Sequence, residues 1–146
     1  MKEILFVDDE PEFVRPQVDA LESAGYKVVK CRDADEAMIY LKKNKPALII
    51  LDLIMPPGED EMPEDDEDVD FAETGIKLHR NIRQEFGLTD VPIVFLSVVR
   101  DREIRREIGQ LERAYNHDLS FLHKPVSSSD VVAAVQSALG ESLDTM

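Results

Sequence analysis

Five polar residues stand at or just beyond points where apolar runs stop. Asp8 and Asp9 follow Ile4-Leu5-Phe6-Val7, and Asp52 closes the run Ala47-Leu48-Ile49-Ile50-Leu51. Ser97 ends a third run that begins at Val91, and Lys124 follows a fourth, Leu119 to Leu122. Runs this apolar read as buried strands, so each of these residues is delivered at the carboxyl end of a strand. Carboxylates gathered in one pocket must hold a cation or leave like charges unpaired, which is costly. The candidate chemistry is therefore that of an acidic, metal-binding pocket.

The elements that would position these residues alternate along the chain. Strands are expected over 3–7, 26–31, 47–52, 91–97 and 119–122. Between and after them, apolar residues recur at helical spacing: Phe13, Val14, Val18 and Leu21 over 12–24; Ala37, Met38 and Leu41 over 34–43. The pattern continues with Ile76, Leu78, Ile82 and Phe86 over 74–86, then Ile104, Ile108 and Leu111 over 101–115. The last helix spans 127–139, with Val131, Val132, Val135 and Leu139 facing inward and Ser128 or Ser129 available as its cap. Asp33 is expected to cap the second helix and Gly25 to stop the first. Pro16 falls inside the first helix, where an interior proline costs roughly 3 kcal/mol; a late start, or a kink, is expected there.

Five strands alternating with five helices call for an α/β fold: a doubly wound parallel sheet joined by right-handed crossovers. The most apolar strands, 47–51 and 91–96, belong at its centre. Ligands of such sheets sit at the carboxyl ends of the strands near the switch point. All five polar residues fall on that edge.

Composition narrows the function. The chain has 146 residues and reads as one domain. Cys31, the single cysteine, rules out an internal disulfide and is expected to be a small buried hydrophobe. No run is long enough to cross a membrane and no leader pattern is present, so the expectation is a cytoplasmic protein. The net charge of −14 disfavours nonspecific nucleic-acid binding. Ten of the 31 acidic residues lie between Glu59 and Glu73, and with those ten set aside the rest of the chain carries only −4. The acidity belongs to one segment.

Phe6-Val7-Asp8-Asp9-Glu10, Leu51-Asp52-Leu53-Ile54-Met55-Pro56, Ser97 after an apolar strand, and Lys124-Pro125 before the last helix together resemble the receiver domain of two-component response regulators. The resemblance covers nearly the whole chain apart from the acidic segment. It implies a flavodoxin-like (βα)5 fold with strand order 2-1-3-4-5. It further implies that Asp52 accepts a phosphoryl group from a sensor histidine kinase or a histidine phosphotransfer protein. Asp9, Asp52 and the backbone carbonyl of Ile54 would bind Mg²⁺ (or Mn²⁺), with Asp8 acting nearby through a coordinated water. Lys124 and the Ser97 hydroxyl would contact phosphoryl oxygens. The Lys124–Pro125 bond would be cis. Mg²⁺ suits such a site because it takes hard oxygen ligands, typically one or two carboxylates plus a phosphate.

By the same resemblance, Ser97 and Phe121 would form the switch that reports phosphorylation. The output face would comprise the 101–115 helix, the fifth strand and the last helix. That helix carries Arg102, Arg105, Arg106 and Arg113 interleaved with Glu103, Glu107 and Glu112, after Arg100 and Asp101. The pattern reads either as a solvated, salt-bridged face or as a docking surface for a partner or a second copy. The expectation is a single stand-alone receiver over 1–146, with no effector domain and no DNA-binding output, acting through an unidentified downstream protein. It would not be an enzyme beyond catalysing its own phosphorylation and dephosphorylation.

The chain departs from the family pattern in an acidic insertion at about 57–73, placed between the third strand and the third helix, whose matching glycine is Gly75. Such a stretch reads as a mobile loop or as an arm near the pocket. Val98 is expected to narrow access to Asp52. Ile54 and Val99, both apolar, cannot hold an attacking water by hydrogen bonding, so a long-lived acyl phosphate is expected. Three other classes compete, the third a flavin carrier. One is a phosphorylation-independent interaction module on the same fold. Another is an aspartate-nucleophile phosphohydrolase, which would need Asp-x-Asp after the first strand where this chain has Asp8-Asp9-Glu10. A flavin carrier would need a Ser/Thr/Gly-rich first loop, which is missing.

Overall fold

The computed structural model describes residues 2–10, 14–53, 71–98 and 101–141. Strands β1 (Glu3–Val7), β2 (Lys27–Cys31), β3 (Leu48–Asp52), β4 (Ile93–Ser97) and β5 (Ser120–His123) form one parallel sheet in the order β2-β1-β3-β4-β5. Helices α1 (Arg15–Ser23), α2 (Ala34–Lys43), α3 (Phe71–Arg80), α4 (Arg102–Ala114) and α5 (Ser128–Ala138) alternate with the strands. The fold class, the strand order and all ten elements agree with the sequence reading, with boundaries shifted by up to three residues at most ends.

Alternation along each strand divides the core in two. Leu5, Val7, Ile49, Leu51, Ile93 and Phe95 pack toward Ala37, Leu41, Leu78, Ile82 and Ile108 of α2, α3 and α4 or their extensions. Ile4, Phe6, Leu48, Ile50, Val94 and Leu96 pack toward Val18 and Leu21 of α1 and Val131 and Val135 of α5. β3 and β4 are buried along their whole length, as strands covered on both faces must be. Cys31 is buried, and burial pushes its thiol up to about 11, which leaves it an unreactive core residue.

Local chemistry sets the helix ends. α1 starts late, at Arg15, which places Pro16 in the first turn where no intrahelical donor is lost. Asp33 caps α2 by accepting from the Glu36 amide at 2.8 Å, while the Glu36 carboxylate accepts from the Arg32 amide at 2.7 Å. α5 is capped by Ser127, whose hydroxyl accepts from the Asp130 amide, and not by Ser128 or Ser129, which are already helical. α3 begins earlier than the expected 74 and does not remain α-helical to 86; it widens into a π-helical turn over Asn81–Glu85.

Gly75 explains how α3 approaches the sheet. A Cβ at this position would lie 2.6 Å from the Leu53 Cα and closer still to the Leu53 carbonyl oxygen. Only glycine lets the helix rest on the backbone immediately after Asp52.

Candidate functional site

β1 and β3 are hydrogen-bonded neighbours, with Val7 level with Leu51, so Asp8 and Asp52 emerge side by side. This is the β1/β3 switch point, where the chain reverses the direction in which it adds strands. Asp8 is 1% exposed and Asp52 3%. Asp8 is tied down twice: its amide donates to the Cys31 carbonyl at 3.0 Å, and its Oδ1 accepts from the Glu10 amide at 2.9 Å. Asp9 stands partly exposed beside them, and one oxygen from each of Asp8, Asp9 and Asp52 falls within a 4.8 Å group.

Lys124 enters from the far edge. β5 ends at His123, the Lys124 amide donates to the Ser97 carbonyl at 3.0 Å, and the Lys124–Pro125 bond is cis, as expected. Its ammonium donates to Asp8 Oδ2 at 2.7 Å and to Asp52 Oδ2 at 3.1 Å. Burial opposes the charge on Lys124, but the bond to Asp8 and the fields of Asp52 and Asp8 prevail and raise its pKa. Asp9 is also raised, first by partial burial and then by the negative charges of Asp8 and Glu10. Among the described residues, three carboxylates thus gather around the Lys124 ammonium, which bonds Asp8 and Asp52. An oxygen-rich cluster with that deficit of positive charge fits a hard divalent cation such as Mg²⁺, which is held through carboxylates and keeps several waters.

Ser97 is fully buried at the end of β4, in register with His123. Strand alternation puts it on the same face as Phe95, the α3–α4 face, whereas Asp52 shares the face of Leu48 and Ile50. Phe121 lies level with Phe95 and stacks on it, ring centroids 6.5 Å apart at 18°. The outer side of Phe121 carries the Arg105 guanidinium, 5.4 Å from the ring centroid. Phe121 is therefore half-buried between a core aromatic and a cation on α4.

Val98 is 59% exposed and stands with Glu10, Val14, Gln17, Lys124 and Val126 around an open cleft of about 390 Å³. Ile54, Val99, Arg100 and the acidic insertion up to residue 70 lie outside the described residues.

One charged group lies elsewhere than the sequence pattern suggests: Glu112 reads as part of a solvated, salt-bridged face or a docking surface, but it is 1% exposed. It accepts from Arg83 at 2.8 Å on each carboxylate oxygen and lies 2.7 Å from His79 Nε2. Burial alone would raise its pKa, yet the bonds from His79 and Arg83 and the charge of Arg83 outweigh that and hold it below the usual range. Glu112 follows Ile108 by four and belongs to the apolar stripe, as Arg83, in the π-helical turn, follows His79 of α3 by four.

A family model described as the response regulator receiver domain matches residues 4–136. Among characterised proteins, the chain is 32% identical to the transcriptional regulatory protein BaeR of Escherichia coli over 93% of its length, and 28% identical to the phosphate regulon transcriptional regulatory protein PhoB of Pseudomonas aeruginosa over 94%. It spans only 47% and 52% of those two relatives, about half of each. Among solved structures, the chemotaxis response regulator CheY4 of Vibrio cholerae superposes with a TM-score of 0.71 at 25% identity, covering 94% of this chain and 98% of that one. A CheY-like receiver domain protein of Methanospirillum hungatei gives 0.73 at 18% identity, covering 96% and 94%. With the switch-point carboxylates, the lysine from β5 and these likenesses together, the chain belongs to the response regulator receiver domain family.

Proposed function

We propose that this chain is a phosphorylation-dependent signalling switch in which Asp52 accepts a phosphoryl group from a histidine kinase or a histidine phosphotransfer protein. The observation that carries this reading is the Lys124 ammonium bridging Asp8 and Asp52, with Asp9 beside them. An Asp52 oxygen attacks the phosphorus of a phosphohistidine; the P–O bond forms, the P–N bond breaks, and the imidazole nitrogen leaves with the electron pair. Asp8, Asp9 and Asp52 would hold Mg²⁺ (or Mn²⁺), which supplies positive charge to the phosphoryl oxygens in flight. Lys124 is already charged and within reach of Asp52, so it meets the new phosphoryl oxygen as a fixed point charge. The Ser97 hydroxyl donates to another oxygen. Because Ser97 shares the face of Phe95, its movement is felt by the Phe95–Phe121 pair and so by α4. The reported signal passes to a partner protein.

The test is incubation with Mg²⁺ and acetyl phosphate, followed by intact-mass measurement. The wild type gains one phosphoryl group and Asp52→Asn gains none. Equal labelling of Asp52→Asn would refute the site. No labelling of the wild type by acetyl phosphate or by a cognate kinase would favour an interaction module that works without phosphorylation.

A further inference from the structure

The buried network beneath α4 includes none of the pocket residues, and it saturates both oxygens of one carboxylate. Both Glu112 oxygens are taken by Arg83, through Nε and Nη2 at 2.8 Å each, and Oε1 also meets His79 Nε2. The remaining Arg83 nitrogen, Nη1, donates to the Leu88 and Val91 carbonyls at 2.6 Å, in the segment that leads into β4. His79 stands edge-on to Phe95, with centroids 4.8 Å apart at 81°. Since Nε2 faces a carboxylate it must carry a proton, and Nδ1 has no hydrogen-bond partner among the described residues. One carboxylate on α4 thus joins α3, its π-helical turn and the lead-in to β4, with all three side chains at 1% exposure or less.

The rest of the α4 contact is sparse. Of its large apolar residues, Ile108 is buried, while Ile104 and Leu111 are only partly so. Apolar contact is non-directional and lets a short helix slide or rotate. A bidentate guanidinium–carboxylate pair has one geometry. Near its N-terminal end, α4 is attached to the sheet by the more exposed stacking of Arg105 on Phe121.

We propose that Glu112, with His79 and Arg83, is a positional pin that fixes the rotation and register of α4 against α3 and β4. Buried ion networks often contribute little net stability over apolar residues of similar size, so their contribution can lie in selecting one arrangement. The pin matters for signalling only if α4 reports on Asp52, and to that extent it rests on the proposed function. The pinning itself does not.

The test uses unphosphorylated protein and backbone hydrogen exchange. In the triple variant His79→Phe/Arg83→Met/Glu112→Leu, amides of 104–114 should exchange at least tenfold faster while those of 93–97 stay unchanged. Wild-type exchange in α4 of the triple variant would overturn the proposal. If the triple variant does not fold, Glu112→Gln is read the same way: local acceleration supports the pin, and unchanged α4 overturns it. Global loss of structure in both would also overturn it, because the network would then hold the whole fold and not one helix. Acetyl phosphate labelling of the same wild-type sample reports separately on the proposed function, so failure of one is not mistaken for failure of the other.

Discussion

The two charged clusters of this molecule solve opposite problems. At the carboxyl edge of the sheet, three carboxylates stand with the Lys124 ammonium among the described residues, and Asp9 is raised by partial burial and then by its acidic neighbours. Beneath α4, one carboxylate meets a guanidinium and an imidazole, and it is lowered despite burial. The first cluster is short of positive charge and opens on solvent through Asp9. The second pairs its carboxylate and is sealed from solvent. A deficit of charge at an open edge creates demand for a ligand, whereas a buried carboxylate already met by two side chains is committed to holding elements together.

Four experiments break or sharpen this contrast. The largest effect is expected from Glu112→Ala, which leaves Arg83 buried without its carboxylate and should cost about 3–5 kcal/mol in urea unfolding. Added Mg²⁺ should not restore that loss. Lys124→Met comes next: it leaves Asp8 and Asp52 adjacent, buried and unbridged, and should cost about 1.5–3 kcal/mol. Here millimolar Mg²⁺ should recover much of the loss, because a cation that binds the folded state stabilises it by mass action. Equal responses of the two variants to Mg²⁺ would erase the distinction between the clusters.

The third effect is on acid stability. Glu112 has a folded-state pKa below its unfolded value, so its contribution is present above the ordinary glutamate value of about 4.3 and is lost as pH falls through the folded value. The wild type should therefore lose stability more steeply than Glu112→Gln between about pH 4.3 and the acid end of the titration. Parallel curves would mean that the carboxylate is not held by its partners as described. The smallest effect is expected from Arg105→Ala, about 0.5–1 kcal/mol for a partly exposed stacking contact. Chemical unfolding should detect it, and a loss as large as that of Glu112→Ala would contradict the inequality between the two attachments of α4.

Legibility in the sequence followed the kind of constraint involved. Runs such as Leu48–Leu51 and Ile93–Leu96 announced central strands, because strands covered on both faces must be apolar throughout. Asp33 announced its cap and Pro16 the late start of α1, since both effects act within one turn of helix. The Ser127 cap was missed by one residue among three consecutive serines with equivalent side chains. Glu112 differs: its place four residues after Ile108 marks the inward stripe, but its charge on an arginine-rich helix points outward, and the partners that settle the conflict lie 29 and 33 positions away in sequence.

By itself the sequence determined the parallel (βα)5 alternation, the candidate pocket residues Asp8, Asp9, Asp52, Ser97 and Lys124, and their common position at strand ends. Strand polarity and periodicity are local, and they place any polar residue that ends an apolar run on one edge of the sheet. Only the tertiary structure decided that one lysine bridges two of the carboxylates, that Phe121 lies between Phe95 and Arg105, and that Glu112 is sealed against His79 and Arg83. Each of these depends on strand order and helix packing bringing distant segments together, where distances of a few ångströms decide whether a charge is screened, paired or left to attract a ligand.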